Sequence, residues 1–434
     1  MCLPLGSAGL VKDDLAALGS GVRLRRSGRG SIASNEGSQP APLKPTLSWV
    51  TNEMLTIAAR VVAHADRNRH ADAVLRAELR TQRGLPRSAA REISRAVFAY
   101  FRWRGFFDPY FRERGCLDLL GPVERQLDKA LELAEMYAYS PESLSDDAFK
   151  YAVPEWVLKE MDVSTFWLRA LQAEPRLWLR AKRGQGRALA QTLGECWIPP
   201  QPAFADAVEY QGPEDLFRTP EFQAGDFEVQ DIASQAVGLL CNPQPGETWW
   251  DACAGEGGKT LHLSDLMQNQ GLIWASDRAE WRLKKLKHRA RRAGGFNYRM
   301  ALWDGGAKLP TKTRFDGVLV DAPCSGVGTW QRNPHARWTT SPEDVWELSG
   351  VQANLLARVA PAVKSGGKLI YSVCTLTRAE TEAVTQDFPA AFPDFEPLPL
   401  TNLFAPILPA THPLWLWPQD TLGNGMFVAA WRRK

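Results

Sequence analysis

The sequence lacks the features that mark several large classes of protein. No apolar run approaches the roughly 20 residues of a membrane-spanning helix, and the first residues lack the pattern of a secretory signal. Seven cysteines are scattered without a Cys-x-x-Cys pair, which argues against a disulfide framework and against a zinc site. These absences predict a cytoplasmic protein that binds neither membrane nor metal, and we expect a monomer.

A strong net charge is also missing, since 52 basic and 49 acidic residues leave +3 at pH 7. The positive charge is concentrated in two segments. The first contains Arg76, Arg80, Arg83, Arg87, Arg91, Arg95, Arg102 and Arg104. The second contains Arg278, Arg282, Lys284, Lys285, Lys287, Arg289, Arg291 and Arg292. Such clusters bind phosphate backbones, but a solvated helix face is an equally good interpretation of either cluster alone.

A length of 434 residues predicts two or three domains. Residues 1–48 are rich in Gly, Ser, Arg and Pro and predict a disordered tail, or an upstream extension if translation starts at Met54. Helical spacing of apolar residues predicts an all-α domain over 49–145. Residues 140–154 have the composition of a linker, and mixed helix and strand patterns predict a small α+β module over 155–229.

Residues 230–434 alternate apolar strands with amphipathic helices, which predicts an α/β domain with a mostly parallel, Rossmann-like sheet. In this domain a strand ends in the glycine-rich loop 253–260, and a helix follows. This arrangement lets a ligand approach the backbone and face helix N–H groups. The next strand ends at Asp277, 20 residues after Gly257, the spacing at which a carboxylate meets ribose hydroxyls. Asp304 follows a further strand, where an adenine could be recognised.

Two other nucleotide motifs do not fit this loop. A triphosphate-binding loop needs glycine where Cys253 stands, and a dinucleotide-binding loop needs glycine where Thr260 stands. A cofactor with one nucleoside and no phosphate fits better, and S-adenosyl-L-methionine is the common one. The predicted cofactor-binding residues are Cys253, Ala254, Gly255, Glu256, Gly257, Gly258, Lys259, Asp277, Arg282, Asp304 and Asp321.

Two cysteines stand just after predicted strands of the same domain. Cys324 follows a buried strand that ends at Asp321, and Cys374 follows another strand 50 residues later, with one long helix between them. A strand, crossover helix and strand normally become parallel neighbours, so both thiols should emerge beside the cofactor loop. A lone strand-end cysteine is more often a packed core residue, but two of them at one sheet edge favour chemistry.

Two thiols and an acid suit methyl transfer to carbon 5 of cytosine. That carbon becomes nucleophilic only when a thiolate adds at carbon 6. An acid at ring nitrogen 3, for which Asp321 is the candidate, stabilises the adduct. Loss of the carbon 5 proton and expulsion of the thiol then need a second basic group. The residues themselves do not say which thiol attacks, and the base must leave its stack to reach them.

These segments resemble the Sun-type family of RNA cytosine-5 methyltransferases. The resemblance covers about 230–433 and is carried by Gln230-Asp231-Ile232-Ala233-Ser234-Gln235, by 253–260, by Asp321-Ala322-Pro323-Cys324-Ser325-Gly326 and by Tyr371-Ser372-Val373-Cys374-Thr375. Arg332, Asn333, Pro334, Arg337 and Trp338 also resemble the segment after the family's first cysteine. The resemblance implies that Cys374 is the nucleophile and that Cys324 assists product release. It also implies RNA rather than DNA, since DNA enzymes attack with the cysteine of a Pro-Cys motif.

Two segments depart from the family pattern. The usual Ala-Pro before Gly-Gly-Lys is Gly255-Glu256, so a charge that could face the cofactor or solvent is added to the loop. The usual Asp-Gly-Phe-Phe near the C-terminus is Asn424-Gly425-Met426-Phe427.

The helical N-terminal region resembles, more loosely, the NusB-like RNA-binding domain of the bacterial small-subunit rRNA (RsmB-type) members of this family. This likeness carries the expectation of 16S rRNA as substrate and of RNA recognition by the α+β module. Two alternatives stay open: a tRNA cytosine-5 methyltransferase, and an inactive rRNA-binding assembly factor. Intact Asp321, Cys324 and Cys374 argue against the second, because binding alone needs none of them.

Overall fold

The computed structural model describes residues 22–24, 50–107 and 122–434. Most of the predicted disordered tail, 1–48, lies outside these residues. The part that is described is a strand, β1 (Val22–Leu24), which pairs antiparallel with Cys196–Ile198. At these three residues the prediction of disorder is wrong, because the backbone groups are paired with an edge strand.

Helices form the first part of the chain. They are α1 (Asn52–His64), α2 (Ala71–Thr81), α3 (Arg87–Phe107), α4 (Val123–Tyr139), α5 (Val157–Glu160) and α6 (Thr165–Ala170). The Thr51 hydroxyl caps α1 by accepting from the Met54 backbone N–H at 3.3 Å. Ile93, Val97 and Phe101 are spaced four residues apart along one face of α3, and all three are buried in the core that these helices share.

The predicted linker over 140–154 is wrong. This segment forms two 3₁₀ helices, Pro141–Ser143 and Asp146–Ala152. The Phe149 ring is fully buried and packs edge-on against the Phe106 ring at 6.0 Å. Acidic residues and a proline gave the segment the composition of a linker, whereas its few apolar side chains complete the helical core. That core continues to Leu171, beyond the residue 155 at which the α+β module was expected to begin.

A small antiparallel sheet follows, with strand order β1-β3-β4-β2-β5. Its strands are β2 (Leu177–Ala181), β3 (Cys196–Ile198), β4 (Ala207–Tyr210) and β5 (Phe227–Val229). The helices α7 (Gly186–Leu193) and α8 (Pro220–Ala224) and the 3₁₀ turns Pro202–Phe204 and Leu216–Arg218 connect these strands. Leu179 and Val208 are fully buried in this module's own core.

The third part is an eight-stranded sheet with strand order β11-β13-β10-β9-β6-β7-β8, and β12 pairs with β13. Its strands are β6 (Thr248–Asp251), β7 (Leu272–Asp277), β8 (Tyr298–Leu302), β9 (Phe315–Asp321), β10 (Val363–Val373), β11 (Phe395–Pro397), β12 (Leu414–Leu416) and β13 (Met426–Arg433). The neighbouring strands β8, β7, β6, β9 and β10 pair parallel to one another, in that order. Strand β13 pairs antiparallel with β10, β11 and β12. The sheet is therefore mixed, with a Rossmann-like parallel part.

Helices cover this sheet and set the direction of its parallel strands. They are α9 (Ile232–Cys241), α10 (Gly258–Leu266), α11 (Glu280–Ala293), α12 (Pro342–Val359), α13 (Glu382–Gln386), α14 (Phe388–Ala391) and α15 (Pro418–Thr421). Short 3₁₀ turns occur at Val327–Thr329, Ala336–Trp338 and Ala360–Ala362. In the β9–β10 register Asp321 lies opposite Ser372, so the residues after both strands leave the sheet at one edge.

A buried guanidinium joins the helical core to the segment after β9. The Arg337 side chain is fully buried and donates to the main-chain oxygens of Arg102 at 3.2 Å, Ala152 at 2.8 Å and Leu171 at 3.1 Å. Burial lowers the pKa of Arg337, and the charge of Arg102 lowers it further. The segment after Cys324 is thus bonded to the helical domain.

Within the described ranges, no helix is long and apolar enough to cross a bilayer. The same residues contain no group of three or more His, Cys, Asp or Glu side chains arranged to hold a metal ion.

Candidate active site

The carboxyl edge of the parallel strands opens into a cavity of about 540 Å³. Every predicted site residue except Gly257 lines it: Cys253, Ala254, Gly255, Glu256, Gly258, Lys259, Asp277, Arg282, Asp304, Asp321, Cys324 and Cys374. The structure therefore brings the glycine-rich loop and both cysteines into one space.

Gly257 shapes the loop without lining the cavity. Its φ of +89° is in the left-handed region, where it is the N-cap of α10. A Cβ at this position would lie 2.6 Å from the Leu286 side chain of α11. Glycine is required here because the backbone turns tightly while it touches a neighbouring helix.

Asp277 braces the glycine-rich loop from the end of β7. One carboxylate oxygen accepts from the Gly255 backbone N–H at 3.0 Å and the other accepts from the Ala279 N–H at 2.8 Å. The Arg282 guanidinium is 3.9 Å from the first of these oxygens. The carboxylate is buried except where it meets the cavity.

The end of β8 adds two residues to the same wall. Asp304 is exposed and accepts from the Gly306 N–H at 2.9 Å. Trp303 was missed by sequence reasoning, because a tryptophan beside a strand end is usually a core residue. It is buried, lines the cavity, and donates its backbone N–H to the Asp277 carbonyl at 3.1 Å.

Glu256, the extra charge of the loop, has a partner in the second basic cluster. Its carboxylate lies 2.7 Å from the Lys285 ammonium of α11, and its carbonyl accepts from Arg289 at 3.0 Å. Arg289 and Arg292 also pair with the buried carboxylate of Glu228. Part of the positive charge on α11 is thus used inside the protein.

The two thiols are in hydrogen-bond contact, with the sulfurs of Cys324 and Cys374 separated by 3.3 Å and not bonded as a disulfide. The hydrogen bond between the two sulfurs lowers the pKa of Cys374, and the Lys259 ammonium lowers it further, against the effects of burial and Asp321. The same hydrogen bond, together with burial, raises the pKa of Cys324 well above its usual value. The pair therefore favours a thiolate on Cys374 and a thiol on Cys324.

Lys259, predicted as a cofactor residue, reaches the cysteine side of the cavity. Its ammonium is 2.7 Å from one oxygen of Asp321, whose other oxygen accepts from the Ser372 hydroxyl at 2.8 Å. Burial would lower the pKa of Lys259, but the ion pair with Asp321 outweighs it and raises the pKa. Lys259 is therefore a buried cation that acts on both Asp321 and Cys374.

Asn424, which departs from the family pattern, contacts the segment 230–235 through its backbone. The Asp231 carboxylate caps α9 through the Ala233 N–H at 2.9 Å and accepts from the Asn424 backbone N–H at 3.1 Å. Since both asparagine and the usual aspartate supply a backbone N–H, the departure at Asn424 leaves the contact intact.

Backbone hydrogen bonds to Gly328 hold the loop that begins at Cys374. The Gly425 N–H donates to the Gly328 carbonyl at 2.7 Å, and the Gly328 N–H donates to the Cys374 carbonyl at 3.0 Å. A Cβ on Gly328 would lie 2.1 Å from the Gly425 oxygen, so only glycine permits this approach.

Sequence reasoning also missed Glu380, a fully buried carboxylate six residues after Cys374. It accepts hydrogen bonds from the residues that follow each cysteine. A single glutamate among threonines has no distinctive spacing, so no local signal could have found it.

Residues 238–432 match the model of a family described as 16S rRNA methyltransferase RsmB/F. A probable ribosomal RNA small subunit methyltransferase B of Synechocystis is 44% identical over 178 residues, which cover 40% of this chain and 39% of that protein. Ribosomal RNA small subunit methyltransferase B of Citrobacter koseri is 30% identical over 294 residues, covering 64% and 66%. The chain thus matches about two fifths to two thirds of the length of these relatives.

Solved structures share the fold. The protein PH0851 superimposes with a TM-score of 0.69 at 21% identity, covering 88% of this chain and 99% of that one. A methyltransferase homolog protein from Pyrococcus horikoshii gives a TM-score of 0.52 at 26% identity, covering 62% and 90%. The match to the RsmB/F family model spans the glycine-rich loop and both cysteines, so this part of the chain is similar to that family of methyltransferases.

Proposed function

We propose that this protein is an S-adenosyl-L-methionine-dependent RNA (cytosine-C5)-methyltransferase that modifies 16S rRNA through a covalent cysteine adduct. The observation that carries the proposal is the contact of two free thiols, 3.3 Å apart, beside the Lys259–Asp321 ion pair in the cavity of the glycine-rich loop. The names of the relatives from Synechocystis and Citrobacter koseri support a small-subunit rRNA substrate.

The cavity fits the cofactor at its nucleoside end. A Cβ added at Gly255 or Gly258 would meet no atom within 4 Å, so the backbone there has open space for a ligand. Asp277 would bind ribose hydroxyls, while Asp304 and Trp303 would border the base. When bound, S-adenosyl-L-methionine supplies an electrophilic methyl group on a sulfonium.

Cys374 is the attacking thiol in this proposal. Its thiolate forms a bond to carbon 6 of cytosine, and the displaced electron pair makes carbon 5 nucleophilic. Ring nitrogen 3 takes up a proton that Asp321 relays from the Lys259 ammonium, which lies 2.7 Å from the Asp321 carboxylate in the same cavity. The proton returns to Lys259 by the same path when Cys374 leaves.

Cys324 completes the reaction by removing the proton from carbon 5 after methyl transfer. The bond between carbon 6 and the Cys374 sulfur then breaks, and Cys374 leaves as a thiolate. Cys324 can act as a base only after it loses its own proton, which passes to solvent through the cavity that Cys324 lines. The hydrogen bond and charge of Cys374, which raise the pKa of Cys324, are lost once Cys374 is bonded to carbon. Attack by one thiol thus prepares the other.

The N-terminal parts would bind the RNA. We propose that the helical domain is NusB-like and that it recognises rRNA together with the α+β module, in a monomeric cytoplasmic protein. Four exposed arginines on α2, α3 and the turn between them support this: Arg80, Arg83, Arg87 and Arg91. None of the four forms an ion pair with another residue in the described ranges, so their charges remain available to phosphates.

Methyl labelling tests the proposal. The protein is incubated with methyl-labelled S-adenosyl-L-methionine and, separately, unmodified 16S rRNA and a tRNA pool, and nucleosides are separated after digestion. The expected result is labelled 5-methylcytosine in 16S rRNA alone. Label in tRNA alone would identify tRNA, and not 16S rRNA, as the substrate. RNA binding without label in either pool would favour the assembly-factor alternative over an enzyme.

A further inference from the structure

We propose that Glu380 is a positioning residue whose buried carboxylate holds the two cysteine loops at the sulfur separation that the reaction needs. This inference deepens the proposed function and rests on it. Glu380 does not line the cavity, so it acts through the cysteines rather than on the substrate.

The carboxylate is enclosed by hydrogen-bond donors from both loops. One oxygen accepts from the Ser325 backbone N–H at 2.8 Å and from the Gln352 amide at 2.9 Å. The other accepts from the hydroxyls of Thr375 at 3.0 Å and Thr377 at 2.9 Å, and from the Ser325 hydroxyl. Five donors on four residues therefore converge on one side chain.

These donors flank the thiols directly. Ser325 follows Cys324 and Thr375 follows Cys374, and their hydroxyls are also 3.0 Å apart. Gln352 extends the clamp, since its amide donates to the Pro323 carbonyl at 2.9 Å, just before Cys324. Each sulfur is thus one residue away from a group bonded to Glu380, and a shift of the carboxylate would move both loops.

No cation within the described ranges forms an ion pair with Glu380. All five donors are neutral, although a buried carboxylate is costly unless charge or hydrogen bonds compensate it. A purely structural clamp could use a neutral amide in this place. The carboxylate also acts on the thiols, because its negative charge raises the pKa of both Cys324 and Cys374. This effect opposes a thiolate at either sulfur, whereas Lys259 favours a thiolate at Cys374.

Two substitutions separate the clamp from its charge. Glu380→Gln preserves shape, and its amide group can donate to the hydroxyls of Ser325, Thr375 and Thr377, which can also accept. Thr377→Val keeps the charge and removes one donor. Glu382→Gln is the matched control, because Glu382 is an exposed carboxylate two residues away.

The first readout is the pH dependence of iodoacetamide alkylation at each cysteine, followed by peptide mass spectrometry. The charged groups that act on Cys374 are Lys259, Asp321 and Glu380. Glu380→Gln should move the alkylation midpoints of Cys324 and Cys374 down by roughly one pH unit. Thr377→Val and Glu382→Gln should leave the midpoints unchanged.

The second readout is methyl transfer. Glu380→Gln and Thr377→Val should lower kcat, by about tenfold and about threefold, with KM for RNA and cofactor affinity unchanged. Alkylation midpoints and kcat that match those of Glu382→Gln would overturn the role of Glu380. If Glu380→Gln does not fold, Thr377→Val decides by its kcat alone. If the wild-type protein transfers no methyl group, the proposed function is contradicted. The alkylation midpoints would still test the role of Glu380.

Discussion

The two ends of the cavity are built in different ways. The cofactor end uses main-chain groups and acids from one stretch of chain, from the loop after β6 to the end of β8, with Asp277 bonded to the backbone of Gly255 and Ala279. The cysteine end is a network of side chains from distant segments. Lys259 and Asp321 are 62 residues apart, and Ser325 and Glu380 are 55 apart.

The difference indicates how each end responds to change. A cofactor end held by backbone geometry should lose affinity when a contact is removed, without losing the ability to react. A cysteine end held by coupled side chains should lose chemistry when any member is removed, because each group sets the protonation or position of another. Separate measurements of cofactor binding and methyl transfer therefore distinguish the two ends.

The largest effect is expected from Cys374→Ala. Methyl transfer should fall below detection, because no thiolate remains to activate carbon 5. Cofactor affinity, measured by calorimetry, should stay within about twofold. Cys196→Ala is the control, since Cys196 is buried in the α+β module. A Cys374→Ala protein that still methylates RNA would assign the attack to another group.

Lys259→Met tests the residue that joins the two ends. We expect a loss of roughly 100-fold or more in kcat, because both Asp321 and Cys374 lose their cation. Since the Lys259 ammonium lowers the pKa of Cys374, its removal should raise that pKa, and alkylation of Cys374 should need a higher pH. If alkylation of Cys374 were unchanged and cofactor binding were lost, Lys259 would act on the cofactor and not on Cys374.

Asp277→Asn should act on the other end. Loss of a charge-assisted hydrogen bond to ribose should weaken cofactor binding by about 10- to 100-fold, while kcat at saturating cofactor changes little. Isothermal calorimetry and saturation kinetics measure the two quantities. Asp316→Asn serves as the control, because Asp316 lies near the start of β9, whereas the cavity lies at the carboxyl ends of the parallel strands. A drop in kcat as large as the drop in affinity would erase the distinction between the two ends.

Arg337→Met is expected to have the smallest effect on chemistry. Four main-chain carbonyls would lose a donor, so the free energy of unfolding should fall by about 3 kcal/mol, seen as a lower midpoint of urea unfolding. Methyl transfer by the folded fraction should fall only a few-fold, because the thiols keep their own clamp. Unchanged stability would show that the helical domain does not depend on this guanidinium.

Local sequence patterns predicted the framework of the site. The apolar run that ends at Asp321, the long helix after it and the run that ends before Cys374 were enough to place both cysteines at one sheet edge. Such patterns report strand direction and order because crossover connections follow few rules.

These local patterns could not predict which side chains contact one another. Nothing local indicates that Lys259 reaches Asp321, or that Glu380 gathers hydroxyls from two loops, because such contacts depend on packing between distant segments. The same limit explains the linker over 140–154, where burial of Phe149 outweighs a polar composition. The antiparallel strands β11, β12 and β13 were not distinguished from parallel ones, since an apolar strand carries no mark of its direction.

Trapping of the covalent adduct tests the central claim most directly. Cys324→Ala is incubated with 16S rRNA and S-adenosyl-L-methionine, and the products are separated on a denaturing gel. We expect a protein–RNA band that resists denaturation, because attack survives while release stalls, and this band should disappear in the Cys324→Ala/Cys374→Ala double variant. Normal turnover by Cys324→Ala without an adduct, or an adduct that persists in the double variant, would contradict the central claim.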